Sequence, residues 1–65
     1  MLTYKEAREA KGLDAIEVAK KLGLSKAAYS LKENYERHFK DAELVKFCQI
    51  TDCNINKLKI RGINY

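Results

Sequence analysis

Apolar residues recur along this chain in short blocks, and each block is preceded by the same local arrangement. A hydrophobic residue, then a potential cap, then a second hydrophobic residue five positions after the first occurs at Leu2 with Ala7, Leu13 with Val18, Leu24 with Tyr29, Phe39 with Leu44 and Cys53 with Leu58. This is the spacing of the hydrophobic staple, in which the residue before the cap packs on the first turn of the helix that follows, so the pattern predicts five helix starts. The residues in the cap positions are Thr3, Asp14, Ser25, Lys40 and Asn54. Four of these carry a side-chain oxygen that can accept an orphan backbone N–H. Lysine has no acceptor, which places the fourth start at Asp41 as readily as at Lys40. Thr3 with Glu6 and Asp14 with Glu17 also have capping-box spacing.

The predicted helices run over residues 3–11, 15–22, 26–33, 41–51 and, for a short last one, 55–58, with a loop over 34–39. Gly12 and Gly23 stop the first two, since a left-handed residue after a helix is most often glycine. Val18, Ala19 and Leu22 share one face of the second helix, and Leu44, Val45, Phe47, Cys48 and Thr51 form a broad stripe on the fourth. In the tail, Leu58, Ile60, Ile63 and Tyr65 are spaced almost as in a strand. A lone strand has no pairing partner in an all-helical monomer, so a docked tail is the favoured reading. With 65 residues, no repeat and no linker, the chain reads as a single all-α domain, residues 1–65, folded as a compact five-helix bundle.

The second and third predicted helices make a demanding unit. Ala19 has to be small where they cross, Gly23 has to accept a positive φ in the turn, and Val18, Leu22, Leu24 and Tyr29 have to be apolar to hold one helix on the other. All stand at the required intervals, which is the pattern of a DNA-binding helix-turn-helix.

Charge agrees with that reading through its location. The net charge is +4. Residues 20–40 hold six bases (Lys20, Lys21, Lys26, Lys32, Arg37, Lys40) against two acids (Glu33, Glu36), so this window alone carries the whole excess. A positive segment on an otherwise balanced chain is the footprint of a polyanionic partner, though a solvated lysine-rich surface would look the same. The start "MLTYKEAREAK" is charged and lacks an apolar core, and no run reaches the length of a membrane span, so a cytoplasmic protein without a membrane segment is expected. Cys48 and Cys53 are too few for a disulfide scaffold and have no zinc-site spacing with His38; they are read as small buried hydrophobes, with a regulatory thiol as the alternative. No nucleophile–base pair, carboxylate pair or phosphate-binding glycine loop is present, so neither enzyme activity nor a metal or other cofactor is expected, and His38 is not read as a catalytic base.

The segments "REAKGL", "EVAKKLGLS", "YSLKEN" and "DCNINKL" resemble the Cro/repressor, or xenobiotic-response-element, helix-turn-helix family of phage and bacterial transcriptional regulators over about residues 4–58. The run "GLSKAAYSLKE" is similar to a sub-type common in repressors of Gram-positive bacteria and their phages. The resemblance implies a lambda-repressor-like domain whose third helix enters the major groove, and an ion pair between Arg8 and Glu33. It also implies double-stranded operator DNA as partner and a weak homodimer, at least on DNA, with no small-molecule ligand. Helices 4 and 5 and the tail, through Ile55, Ile60, Ile63 and Tyr65, would form the dimer contact.

Four positions depart from the family pattern. Ala15 stands where a DNA-contacting Gln is usual, Tyr35 where a glycine is usual, Lys32 where a half-buried Ile or Trp is usual, and Ile16 at a position usually polar. The Lys32 stem is expected to cover the core with its ammonium reaching solvent or phosphate.

The candidate DNA-binding residues follow. Ser25 can offer its hydroxyl and the neighbouring N–H groups to a phosphate. Lys26 can reach guanine O6 and N7, or meet a phosphate instead. Ala27 can touch a thymine methyl, Ser30 can bond to several base edges, and Leu31, placed on the outer face of its helix, can contact a methyl or sugar. Asn34, Arg37 and Lys40 match the family's phosphate-clamping region, with the uncharged His38 ranked below Arg37. A competing reading keeps the fold but makes it a protein-binding anti-repressor or antitoxin-like module. Ala15, Ile16, Tyr35 and the alanine-rich third helix favour that reading, and the positive window opposes it.

Overall fold

The computed structural model describes residues 1–60. They form four α-helices, α1 (Tyr4–Ala10), α2 (Ala15–Leu22), α3 (Lys26–Glu33) and α4 (Asp41–Thr51), followed by a single 3-10 turn, Ile55–Lys57. The expected fifth α-helix is therefore only one turn. Leu58 already has extended φ/ψ of −87°/138°, because the chain must leave the helical path there to pair with the N-terminus.

The helices begin as the caps require. Thr3 and Asp14 make complete capping boxes with Glu6 and Glu17, and the Ser25 hydroxyl accepts the Ala28 N–H at 3.1 Å. Lys40 supplies no cap; instead the Glu43 carboxylate accepts the Lys40 backbone N–H at 2.9 Å, and α4 starts at Asp41.

All four helices end in the same way. A residue with positive φ bonds three residues back, and the next residue bonds five back. The pairs of bonds are Gly12 to Glu9 and Leu13 to Arg8, Gly23 to Lys20 and Leu24 to Ala19, Tyr35 to Lys32 and Glu36 to Leu31, and Asp52 to Gln49 and Cys53 to Cys48. These are Schellman motifs, which satisfy otherwise orphaned carbonyls. Leu13 and Leu24 close one helix and staple the next, so a few residues fix both the stop and the restart of the chain.

The core is built from Tyr4, Ala7, Val18, Ala19, Tyr29, Phe39, Leu44, Phe47 and Leu58. Its centre is aromatic: Tyr4 meets Phe39 and Phe47 edge-on, with ring centroids 4.8 and 5.4 Å away, an orientation that sets positive ring edges on negative faces. Three of the expected apolar positions sit differently. Val45, assigned to the inner stripe of α4, is 55% exposed, because five apolar residues span more of an eleven-residue helix than one buried face can take. Cys48 and Cys53 are half-buried with free thiols rather than fully buried.

The tail is docked as far as it is described. Leu58 is buried and Ile60 packs on the core. A pairing partner does exist within the monomer: Leu2 and Leu58 form one isolated parallel bridge, with bonds of 2.8 Å from Leu2 N–H to the Lys57 carbonyl and 2.6 Å from Lys59 N–H to the Leu2 carbonyl. Ile63 and Tyr65 lie outside the described residues. No helix among the described residues is long and apolar enough to cross a membrane.

Candidate nucleic-acid interface

The turn between α2 and α3 holds the candidate reading helix at a fixed angle. Gly23 has φ 72°, and Leu24 then packs against the core beside buried Val18, Ala19 and Tyr29. From there α3 rises with one face inward. Tyr29, Lys32 and Glu33 are buried, while Ser25, Lys26 and Ala27 are exposed and Ala28, Ser30 and Leu31 half-exposed. Leu31 is absent from the side chains packed on the core, consistent with its expected outward place.

The structure brings the first-turn candidates together at the N-terminal end of α3. Ser25 uses its hydroxyl oxygen as an acceptor for Ala28, which leaves its hydroxyl proton and the first backbone N–H groups of the helix available to an anion. Asn34, Arg37, His38 and Lys40 are exposed on the segment after α3. That segment is held at both ends. The Leu31 carbonyl accepts N–H bonds from Glu36 at 2.8 Å and Arg37 at 3.1 Å, and Glu43 accepts from the Lys40 N–H.

Behind the exposed face lies a polar network. Arg8 Nε donates to Glu33 Oε1 at 2.7 Å and Arg8 Nη2 to Oε2 at 3.4 Å, while Arg8 Nη1 donates to the Leu13 carbonyl at 2.8 Å. The Tyr29 hydroxyl donates to the same Glu33 oxygen at 2.8 Å. The expected Arg8–Glu33 pair is thus present, buried and with its polar atoms satisfied. The Glu33 hydrogen bond raises the Arg8 pKa, and burial followed by the Glu33 bond raises that of Tyr29. Both groups are locked in the protonated state needed to donate.

Lys32 departs from expectation. Its stem is buried, but its ammonium points inward and donates to Glu43 Oε1 at 2.6 Å, so it is not offered to solvent or phosphate. The cause is a part-buried carboxylate one helix away: burial alone would raise the Glu43 pKa, and the bonds from Lys32 and from the Lys40 N–H outweigh it and hold it below its usual value. The positive window survives this loss. Lys32 and Glu33 are removed as one base and one acid, and Lys20, Lys21, Lys26, Arg37 and Lys40 remain exposed with Glu36.

Tyr35 and Glu43 organise the site without having been singled out for that role. Tyr35 adopts φ 65°, stacks on Tyr4 at 4.8 Å, accepts the Tyr4 N–H at 3.4 Å and donates its hydroxyl to the Lys59 carbonyl at 2.5 Å. Glu43 had one readable signal, its capping-box position after Lys40. At the start of α2, Ala15 is half-buried against the core and the Asp14 side chain is committed to the Glu17 N–H, while Ile16 is 57% exposed. Of the expected dimer residues, Ile55 is 40% exposed, and Ile60 packs inward.

The geometry is that of a DNA-binding helix-turn-helix, and comparison with known proteins agrees. A family model described as helix-turn-helix matches residues 5–58. No curated protein and no solved structure matches the chain. The matched span contains all four helices apart from the first residue of α1, together with the turn, the Arg8–Glu33 pair and the exposed face of α3, and the chain belongs to the Cro/repressor helix-turn-helix family, whose members are DNA-binding transcriptional regulators.

Proposed function

We propose that the chain is a repressor of Cro type, of phage or bacterial origin, that binds operator DNA with α3 in the major groove. In this reading the single domain is a homodimer on DNA and takes no small-molecule ligand. The observation that carries it is the division of α3 into an exposed N-terminal turn and a buried C-terminal end, with Lys26 exposed on the former and Arg37 and Lys40 exposed on the segment that follows the latter. Ser25, Asn34, Arg37 and Lys40 contact phosphates; Lys26, Ala27, Ser30 and Leu31 face base edges. Ala27, Ser30 and Leu31 offer little bidentate hydrogen bonding, so direct readout is modest. Sequence choice then leans on methyl contacts and DNA shape.

The test is binding to random duplex at about 50 and about 200 mM salt, where phosphates neutralised by Arg37 and Lys40 on both chains of the homodimer predict a loss of roughly 10²-fold. Failure to bind any duplex at the lower salt overturns the proposal. Lys26→Ala then separates its two roles: relaxed sequence choice marks base readout, uniform weakening a phosphate contact. The exposed Ile16 beside an Ala15 that offers no polar atom favours a second reading, a protein-binding module on the same fold. That reading predicts salt-insensitive binding to a protein and none to DNA.

A further inference from the structure

We propose that Cys48 and Cys53 form a dithiol site at the C-terminal end of α4, which converts reversibly to an intramolecular disulfide by exchange with a low-molecular-weight disulfide. The placement is set by the helix stop. The Cys53 N–H bonds to the Cys48 carbonyl at 3.0 Å and the Asp52 N–H to that of Gln49 at 3.3 Å, with Asp52 at φ 53°. This is the six-to-one and five-to-two pattern of a Schellman motif, in which the side chains of the two residues joined by the longer bond commonly pack on each other. Here both are cysteines, both are half-buried with free thiols, and both line one shallow hollow with Val45, Gln49 and Ile55.

The hydrogen bond also bounds their separation. Adding to its 3.0 Å an N–Cα bond of about 1.5 Å and a Cα-to-oxygen span of about 2.4 Å puts the two Cα atoms at most about 7 Å apart on a straight path. The path bends at both the nitrogen and the oxygen, so the true distance is shorter and enters the range of about 4.4–6.8 Å that a disulfide requires. At α1 the corresponding side chains are Arg8 and Leu13, at α2 Ala19 and Leu24, and at α3 Leu31 and Glu36. The same backbone device thus carries redox chemistry only at α4.

The step balances in two exchanges. The Cys53 thiolate attacks one sulfur of the small disulfide, that S–S bond breaks, and one small thiol leaves. The Cys48 sulfur, giving up its proton to solvent, then attacks the Cys53 sulfur of the mixed disulfide and expels the second small thiol. The protein loses two electrons and two protons, and the reagent is reduced to two thiols. Burial raises the Cys48 pKa, with Cys53 adding to the effect, which suits Cys48 to the second step rather than the first.

The test uses the full chain in a graded series of oxidised and reduced glutathione, read by intact mass and by thiol alkylation, in buffer and again in urea at an unfolding concentration. The expected product is a monomer lighter by two hydrogen atoms, restored by a dithiol reductant. Its midpoint should lie at a reduced-to-oxidised ratio that favours the disulfide about tenfold or more in the folded chain over the unfolded one. In Cys48→Ser, Cys53 should retain one glutathione as a stable adduct. A folded chain that accumulates adducts or disulfide-linked dimers without closing the ring, or that closes it no more readily than the unfolded chain, overturns the proposal.

Discussion

At the start of α3, Ser25, Lys26 and Ala27 are exposed, and the helix is positioned by short-range features: Gly23 at φ 72°, its bond to Lys20, Leu24 packed on the core and the Ser25 hydroxyl cap. At its end, Lys32 and Glu33 are each 8% exposed and reach different helices, Lys32 to Glu43 of α4 and Glu33 to Arg8 of α1, and Tyr35 follows in the same left-handed conformation as Gly23. One end carries polar side chains that face outward; the other directs its polar side chains inward. A helix of eight residues has little rigidity of its own. Fixing one end by two ion pairs and a stacked tyrosine lets the other present Lys26 and Ala27 at a set angle without spending their side chains on the fold. Glycine supplies the left-handed turn where nothing else is needed, and tyrosine supplies it where the loop must also be tied down.

The largest effect that breaks this contrast should come from the buried end. Glu33→Ala leaves the Arg8 guanidinium buried without its carboxylate and removes the acceptor of Tyr29, for an expected loss of about 3–5 kcal/mol in unfolding free energy by urea titration. Lys26→Ala, seven residues earlier on the same helix, should change stability by less than about 0.5 kcal/mol while weakening DNA binding. If both substitutions cost the same stability, the division of labour along α3 is wrong.

The two left-handed residues sharpen the comparison at a smaller scale. A Cβ added at Gly23 meets nothing within 4 Å, so Gly23→Ala tests the backbone conformation by itself. Its expected cost is about 1 kcal/mol. Tyr35→Phe keeps the stack on Tyr4 and removes only the hydroxyl that joins the Tyr4 N–H to the Lys59 carbonyl, with an expected loss of about 1 kcal/mol. Tyr35→Gly should be worse than Tyr35→Phe despite relieving the positive φ, because it removes the ring as well. A glycine variant more stable than the wild type in thermal unfolding would show that the tyrosine is tolerated rather than used.

Much of this architecture was legible in the sequence because its signals are local. Caps, staples and the Gly23 turn involve residues at most five apart, so the boundaries of α2 and α3 and the outward set Ser25, Lys26 and Ala27 follow from spacing alone. The Arg8–Glu33 pair joins residues 25 apart in the chain and was reached only through the family resemblance. Nothing comparable pointed to Lys32 with Glu43, to the Tyr35 bonds, or to the Leu2–Leu58 bridge, since each depends on which helices the core brings side by side. Val45 failed for the opposite reason: hydrophobicity marks what can be buried, and α4 has only one face toward the core. The fifth helix failed because a good cap at Asn54 starts a turn but does not sustain one when the next residues are drawn into extended pairing.

The smallest expected effect concerns the charge of Glu43, which links the buried end of α3 to the start of α4. Its pKa is lowered as the net of opposing causes: burial raises it, while the Lys32 ammonium and the Lys40 N–H lower it by more. A carboxyl whose folded pKa lies below its unfolded value contributes stability that is fully present above the unfolded pKa and is lost as pH falls through the folded one. Wild type and Glu43→Gln should therefore differ most near neutral pH, and the gap should narrow as pH drops from about 4.5, the unperturbed range of a glutamate. Added salt should change the gap little, because the Lys32 and Glu43 side chains are only 9% and 15% exposed. Urea titrations of both chains at three pH values decide the matter. A gap that stays constant across that range would mean that Glu43 holds α3 to α4 by shape and hydrogen bonding, not by its charge.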